Sequence, residues 1–146
     1  MELENVLKDL FPEGSFEYET LVSTNKLIVG ACPATAAAAK NHLISLDHGR
    51  VKLSSMYFIL GRKITEKKSL MQSTYDAQYT TLVKRGRPSK DAIEAELRSI
   101  NPEYAGYQKQ IHELEELRDL VSMYIRCVDS SKSTVTEILR NIYRID

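Results

Sequence analysis

Four of the seven residues in Lys84-Arg85-Gly86-Arg87-Pro88-Ser89-Lys90 are cations. Four fixed positive charges on so short a segment suit one task above others, the binding of a polyanion through its phosphate oxygens. The other side chains that carry chemistry are dispersed. His42, His48 and His112 fall into no His-x-x-x-His or Cys/His spacing that would hold a metal. Cys32 and Cys127 lie 95 positions apart, form no CxxC unit and read as reduced thiols of a cytosolic protein. Neither GxGxxG nor GxxxxGK[ST] occurs, so no glycine loop is laid out to cradle a nucleotide. Glu113, Glu115, Glu116 and Asp119 recur at helical spacing, which suits a solvated face or salt-bridge partners better than a divalent cation site. The inventory predicts a non-catalytic protein with no cofactor and no metal.

The charge around this segment is segregated. The chain of 146 residues has a formal net charge of zero. Residues 50–90, however, hold ten basic side chains against Glu66 and Asp76, a net charge of +8. Residues 1–30 carry six acidic against two basic, and residues 91–120 eight acidic against three basic. Within the basic block, Arg62, Lys63, Lys67 and Lys68 precede the turn on the same stretch of chain. Such asymmetry is the footprint of a polyanion-facing surface, and equally of basic and acidic helices that pair with one another.

The elements that would position these charges read as helices. Ala39, Leu43, Leu46, Arg50, Leu53, Tyr57, Leu60, Ile64, Lys67 and Met71 alternate steps of four and three, a coiled-coil seam on which Arg50 and Lys67 also fall. Tyr75, Tyr79 and Leu82 continue that face, where core packing suits the two tyrosines better than stacking on bases. Gly49 and Gly61 are the positions where the helix would bend or break. Gly86 and Pro88 stop it, Ser89 caps a short helix with Ile93, Leu97 and Ile100 on one face, and Asn101-Pro102-Glu103 starts another. That last helix carries Tyr107, Ile111, Leu114, Leu117, Val121, Tyr124, Val128, Val135 and Ile138, with Asp129–Thr134 as its expected interruption.

The fold expected is therefore mostly α: a long helical hairpin, coiled-coil-like, with a short N-terminal appendage. Residues 1–33 form the appendage, a helix carrying Leu3, Val6, Leu7 and Leu10 and then an extended arm. The alternation of Phe16, Tyr18, Thr20 and Val22 suggests that arm or a strand. Residues 34–146 form the hairpin, with helices over 34–84, 89–100 and 102–145. Apolar residues such as Tyr57-Phe58-Ile59-Leu60 and Leu120-Val121 exceed what one seam buries, which predicts a homo-oligomer. No apolar run approaches the roughly 20 residues of a membrane span, and the acidic Met1-Glu2-Leu3-Glu4 start is unlike a signal peptide. A cytoplasmic location, the host cytoplasm if the protein is viral, and no membrane partner are expected.

Two resemblances bear on the basic turn. Arg85-Gly86-Arg87-Pro88 flanked by lysines is similar to the core of the AT-hook family, which implies that Arg85, Gly86 and Arg87 enter an AT-rich minor groove with Lys84 and Lys90 on phosphates. The match covers seven residues. The layout of residues 33–143 resembles the phage UvsY-type recombination mediators. The residues that carry this likeness are the helix through Tyr75-Asp76-Ala77-Gln78-Tyr79 to Arg85-Gly86, then Ile93-Glu94-Ala95-Glu96-Leu97, then Asn101-Pro102-Glu103-Tyr104 and a long final helix. The first helix is longer than that family's pattern, and the RGRP turn departs from it. The resemblance implies a ring-like homo-oligomer that binds single-stranded DNA. It further implies help in loading a RecA-like recombinase onto strands coated by single-strand-binding protein.

The candidate interface is thus Lys84, Arg85, Gly86, Arg87 and Lys90, supported by Lys63, Lys67 and Lys68, with single-stranded DNA as the preferred partner and duplex as a second. The competing expectation is a structural or packaging protein of a phage-like particle that oligomerises through its helices.

Overall fold

The structure, a computed structural model, describes residues 11–30, 33–83, 86 and 89–144. Four helices account for nearly all of them: α1 (Phe16–Val29), α2 (Ala36–Val83), α3 (Lys90–Ile100) and α4 (Pro102–Asn141). The mostly α, long helical hairpin expected from the periodicity is what is found. The amphipathic stretch from Leu3 to Leu10 and the residue Cys32 lie outside the described residues. The chain divides into two compact units, Met1–Phe58 with Asp119–Asp146 and Ile59–Arg118, a division that cuts across α2 and α4 rather than falling at residue 33.

In the first unit, α1 replaces the arm or strand suggested by the alternating Phe16, Tyr18, Thr20 and Val22. The local signals for a helix are complete. Gly14 takes φ +82 in the preceding turn, and the Ser15 hydroxyl accepts from the Tyr18 N–H at 3.2 Å as an N-cap. Glu17 and Glu19 sit in the first turn, where the helix dipole favours acids. Its buried residues are Tyr18, Thr20, Leu21 and Thr24, so the helical i, i+3 spacing from Tyr18 through Leu21 to Thr24 outweighs the period of two.

Docking of α1 explains two features of α2. A Cβ at Gly49 would stand 3.3 Å from the Thr24 hydroxyl, so the glycine is a point of close approach rather than a break. Met56, seven residues on and on that same face, is buried, whereas the neighbouring Tyr57 expected on the seam is 42% exposed. A third helix widens the buried arc beyond a two-helix stripe. Ala39, Leu46 and Leu53 fill the seam as expected. The helix runs unbroken through Gly49 and Gly61.

α4 likewise continues through Asp129–Thr134, where an interruption was expected. Val128 and Val135, seven apart, are both buried and pin the helix on either side. The hydroxyls of Thr134 and Thr136 donate to the carbonyls of Ser130 and Lys132, satisfying themselves within the helix. The Asp129 side chain has a partner too. Arg50 grips it with two bonds, Nε to Oδ1 at 2.6 Å and Nη2 to Oδ2 at 3.3 Å, and Lys132 pairs with Asp47 at 2.5 Å. The cation at the Arg50 seam position is therefore an inter-helix clamp.

The hydrogen bond from Arg50, aided by its charge and that of Lys132, holds the Asp129 carboxyl below its ordinary value. A depressed carboxylate pKa contributes stability that is present above the unfolded-state value, about pH 4, and lost as pH falls through the folded value. The thermal midpoint of the wild-type chain is expected to exceed that of Asp129→Asn above about pH 5. The gap should close on acidification towards about pH 2, and a gap constant across that range would contradict the clamp.

Candidate nucleic-acid interface

The basic turn belongs to the second unit, and a small core holds its flanks. Ile93 and Leu97 of α3 and Tyr104 of α4 are 0–2% exposed and form one cluster, against which Met71 and Tyr75 of α2 pack. α3 itself is only 11 residues long. A helix of that length is marginal alone, so this packing rather than propensity keeps it in place. Its ends are capped as the sequence suggests. The Ser89 hydroxyl accepts from the Ala92 N–H at 3.2 Å, and Asn101 Oδ1 accepts from the N–H groups of Glu103 and Tyr104. Ile100, expected on the buried face, is instead 55% exposed. Burial, followed by the charge of Glu94, raises the Tyr104 phenol above its ordinary value, keeping it neutral within the cluster.

Between α2, which ends at Val83, and α3, which starts at Lys90, Gly86 takes φ +147, a conformation that favours glycine, with nothing within 4 Å of where a Cβ would be. Lys84, Arg85 and Arg87 lie outside the described residues. Lys90 is exposed and reaches Glu94 at 4.0 Å, a carboxylate also approached by Arg98 at 3.6 Å. Such exposed i,i+4 pairs hold a side chain weakly and leave it open to a stronger partner.

The supporting lysines divide into two kinds. Lys68 forms an ion pair with Glu115 of α4 at 3.1 Å, and the Lys67 ammonium stands 5.7 Å from the centre of the Tyr107 ring. Both flank the α2–α4 seam of this unit, which is why Lys67 falls on the heptad pattern, and both are spent in part on holding the helices together. Lys63, together with Arg62, is exposed on α2, and among the described residues no ion pair engages either. The pairing of basic with acidic helices therefore accounts for Lys68 and not for Lys63 or Arg62. Two further acids of α4 are engaged along the helix, Glu113 by Lys109 at 4.0 Å and Glu116 by His112 at 3.0 Å.

The two tyrosines also separate. Tyr75 packs on the Ile93–Leu97–Tyr104 core, whereas Tyr79 is 47% exposed and stacks on Tyr75 with ring centres 6.1 Å apart and planes at 24°. Core packing describes Tyr75 alone, and Tyr79 offers an open aromatic ring close in sequence to the basic turn. The Lys67–Tyr107 contact has little signature in the sequence. Its only trace there is a cation on one seam and a tyrosine on the facing one. Among the described residues no group of three His, Cys, Asp or Glu is placed to hold a metal ion. No helix among them is long and apolar enough to cross a membrane.

If the cluster positions the turn, Leu97→Ala should lower unfolding stability by about 2–5 kcal/mol. It should also speed amide exchange in α3 while the α1 amides keep their protection, and uniform loss across both helices would refute that assignment. No protein-family model, no curated protein and no solved structure matches the chain.

Proposed function

We propose that this chain is a non-catalytic, homo-oligomeric DNA-binding accessory protein that holds single-stranded DNA along the basic turn and the adjoining end of α2. The observation that carries the reading is the +8 block of residues 50–90 in a chain of zero net charge. Its members Arg62 and Lys63 stand exposed without an ion pair among the described residues, and the block ends in a turn whose Gly86 has open space around it. Lys63, Lys84, Arg85, Arg87 and Lys90 are the phosphate contacts in this account, and Gly86 lets the backbone approach the strand. Lys67 and Lys68 contribute less, because Tyr107 and Glu115 already engage them. Tyr79 supplies a face on which an unpaired base can stack, which favours single strands over duplex.

Repetition of the turn around an oligomer raises a modest site to a strong one. Together with the resemblance to UvsY-type mediators, this supports a role in phage-type recombination and repair in the host cytoplasm. There it would help a RecA-like recombinase onto strands covered by single-strand-binding protein. The minor-groove mode implied by the AT-hook likeness is the duplex alternative. A second reading, an assembly or packaging protein of a phage-like particle, draws on the capture of Lys67, Lys68 and Arg50 by intrachain partners. That capture shows that part of the basic block serves helix packing.

Variants separate these readings. At low salt, Arg85→Ala combined with Arg87→Ala is expected to weaken binding of a fluorescent single-stranded oligonucleotide severalfold. Lys63→Ala should reduce the salt slope by about one unit, with a smaller effect for Lys68→Ala. Affinity unchanged by all three would remove the site. Tighter binding of AT-rich duplex than of single strands would replace the mediator reading with the minor-groove one.

A further inference from the structure

The face of α2 that neither α1 nor α4 covers in the first unit carries a regular apolar line. Ala37, Ile44, Val51 and Phe58 recur every seven residues, and the last three are 52%, 69% and 67% exposed. The other sides of this stretch are occupied. Ala39, Leu46, Leu53 and Met56 are buried, Gly49 faces Thr24 of α1, and Arg50 holds Asp129 of α4. Single exposed apolar residues are ordinary, but four in heptad register on a helix already amphipathic on its other side are not. The line extends over 22 residues, about 32 Å of helix.

We infer that a second copy of this chain docks on this line in antiparallel orientation, with the two-fold axis passing between Asp47 and His48. The inference rests on the homo-oligomer part of the proposed function and names its interface. Size and charge in the sequence select the register. In the antiparallel arrangement Phe58 lies opposite Ala37 of the partner subunit, the largest side chain against the smallest. Ile44 lies opposite Val51 of the partner subunit. The polar positions between the apolar ones also match: Asp47 faces His48 of the partner subunit, and Lys40 faces Ser55 of the partner subunit. Asp47 also pairs with Lys132 of α4 through Oδ1. A parallel in-register pairing of the same line would set Lys40 against Lys40, Asp47 against Asp47 and Phe58 against Phe58, with like charges opposed. Four side chains a copy form a small interface, so the association belongs to the weak end of specific contacts and depends on concentration.

The register yields a charge-swap test on the full chain by sedimentation velocity, from micromolar to hundreds of micromolar concentration and without DNA. Wild type is expected to dimerise. Ile44→Lys and Val51→Glu should each weaken self-association about tenfold or more with helix content unchanged, since both positions are exposed. An equimolar mixture of the two variants should regain it, because Lys at 44 then faces Glu at 51 across the interface. Failure of the mixture to recover would overturn the antiparallel register. Self-association undiminished in either variant would overturn this interface and leave the oligomer itself standing. A wild-type monomer at every concentration would overturn both. A monomer whose thermal midpoint falls in Val51→Glu would show that the chain's own segment covers the line.

Discussion

The packing of Ile93 and Leu97 against Tyr104, Met71 and Tyr75 is the constraint on which the second unit depends. An eleven-residue helix has too few internal hydrogen bonds to persist unaided, and its moderately charged sequence adds little. Once two residues separated by one helical turn are driven out of water into a site shared by α2 and α4, α3 and the start of α4 are held against the α2 stretch around Met71 and Tyr75. The basic segment joins α2 to this anchored α3.

Charge in this protein serves two purposes that compete for the same side chains. Some cations hold helices together: Arg50 through its fork on Asp129, Lys132 through Asp47, Lys68 through Glu115. Others are left to solvent. The segregation of charge along the chain is the visible sum of both. Only geometry separates them, because Lys67 and Lys68 flank the seam and turn towards α4, whereas Lys63, four residues before Lys67, lies exposed with no such partner among the described residues. A functional surface made from the unspent remainder of a structural set needs no residue types beyond those the hairpin already uses.

Much of this was legible in the sequence, and the losses have physical causes. The helices of the hairpin, the Ser89 and Asn101 caps and most of the seam follow from heptad spacing and capping chemistry. α1 is hidden in the sequence because Phe16, Tyr18, Thr20 and Val22 alternate, while the decisive spacing of Tyr18, Leu21 and Thr24 matters only once α2 offers Gly49 as a landing site. The burial of Met56 in place of Tyr57 has the same origin, since a third helix changes which face is inside. The continuity of α4 through Asp129–Thr134 was hidden because hydroxyls that favour turns in isolation here bond back to their own helix. Of the candidate interface, the placement of Lys63, Lys67, Lys68 and Lys90 on α2 and α3 was readable. The partners that engage two of them were not, being contacts between residues 40 and 47 positions apart in sequence.

The central claim is that the unspent cations hold a phosphate backbone, and a salt series on the wild-type chain reaches it most directly. The account predicts saturable binding of a single-stranded oligonucleotide at low ionic strength. The logarithm of affinity should fall linearly with that of salt concentration, with a slope of roughly −3 to −4 for four to five phosphate contacts. Defined oligomers with no affinity for single- or double-stranded DNA at low salt would contradict it and leave the basic block as a device of assembly alone.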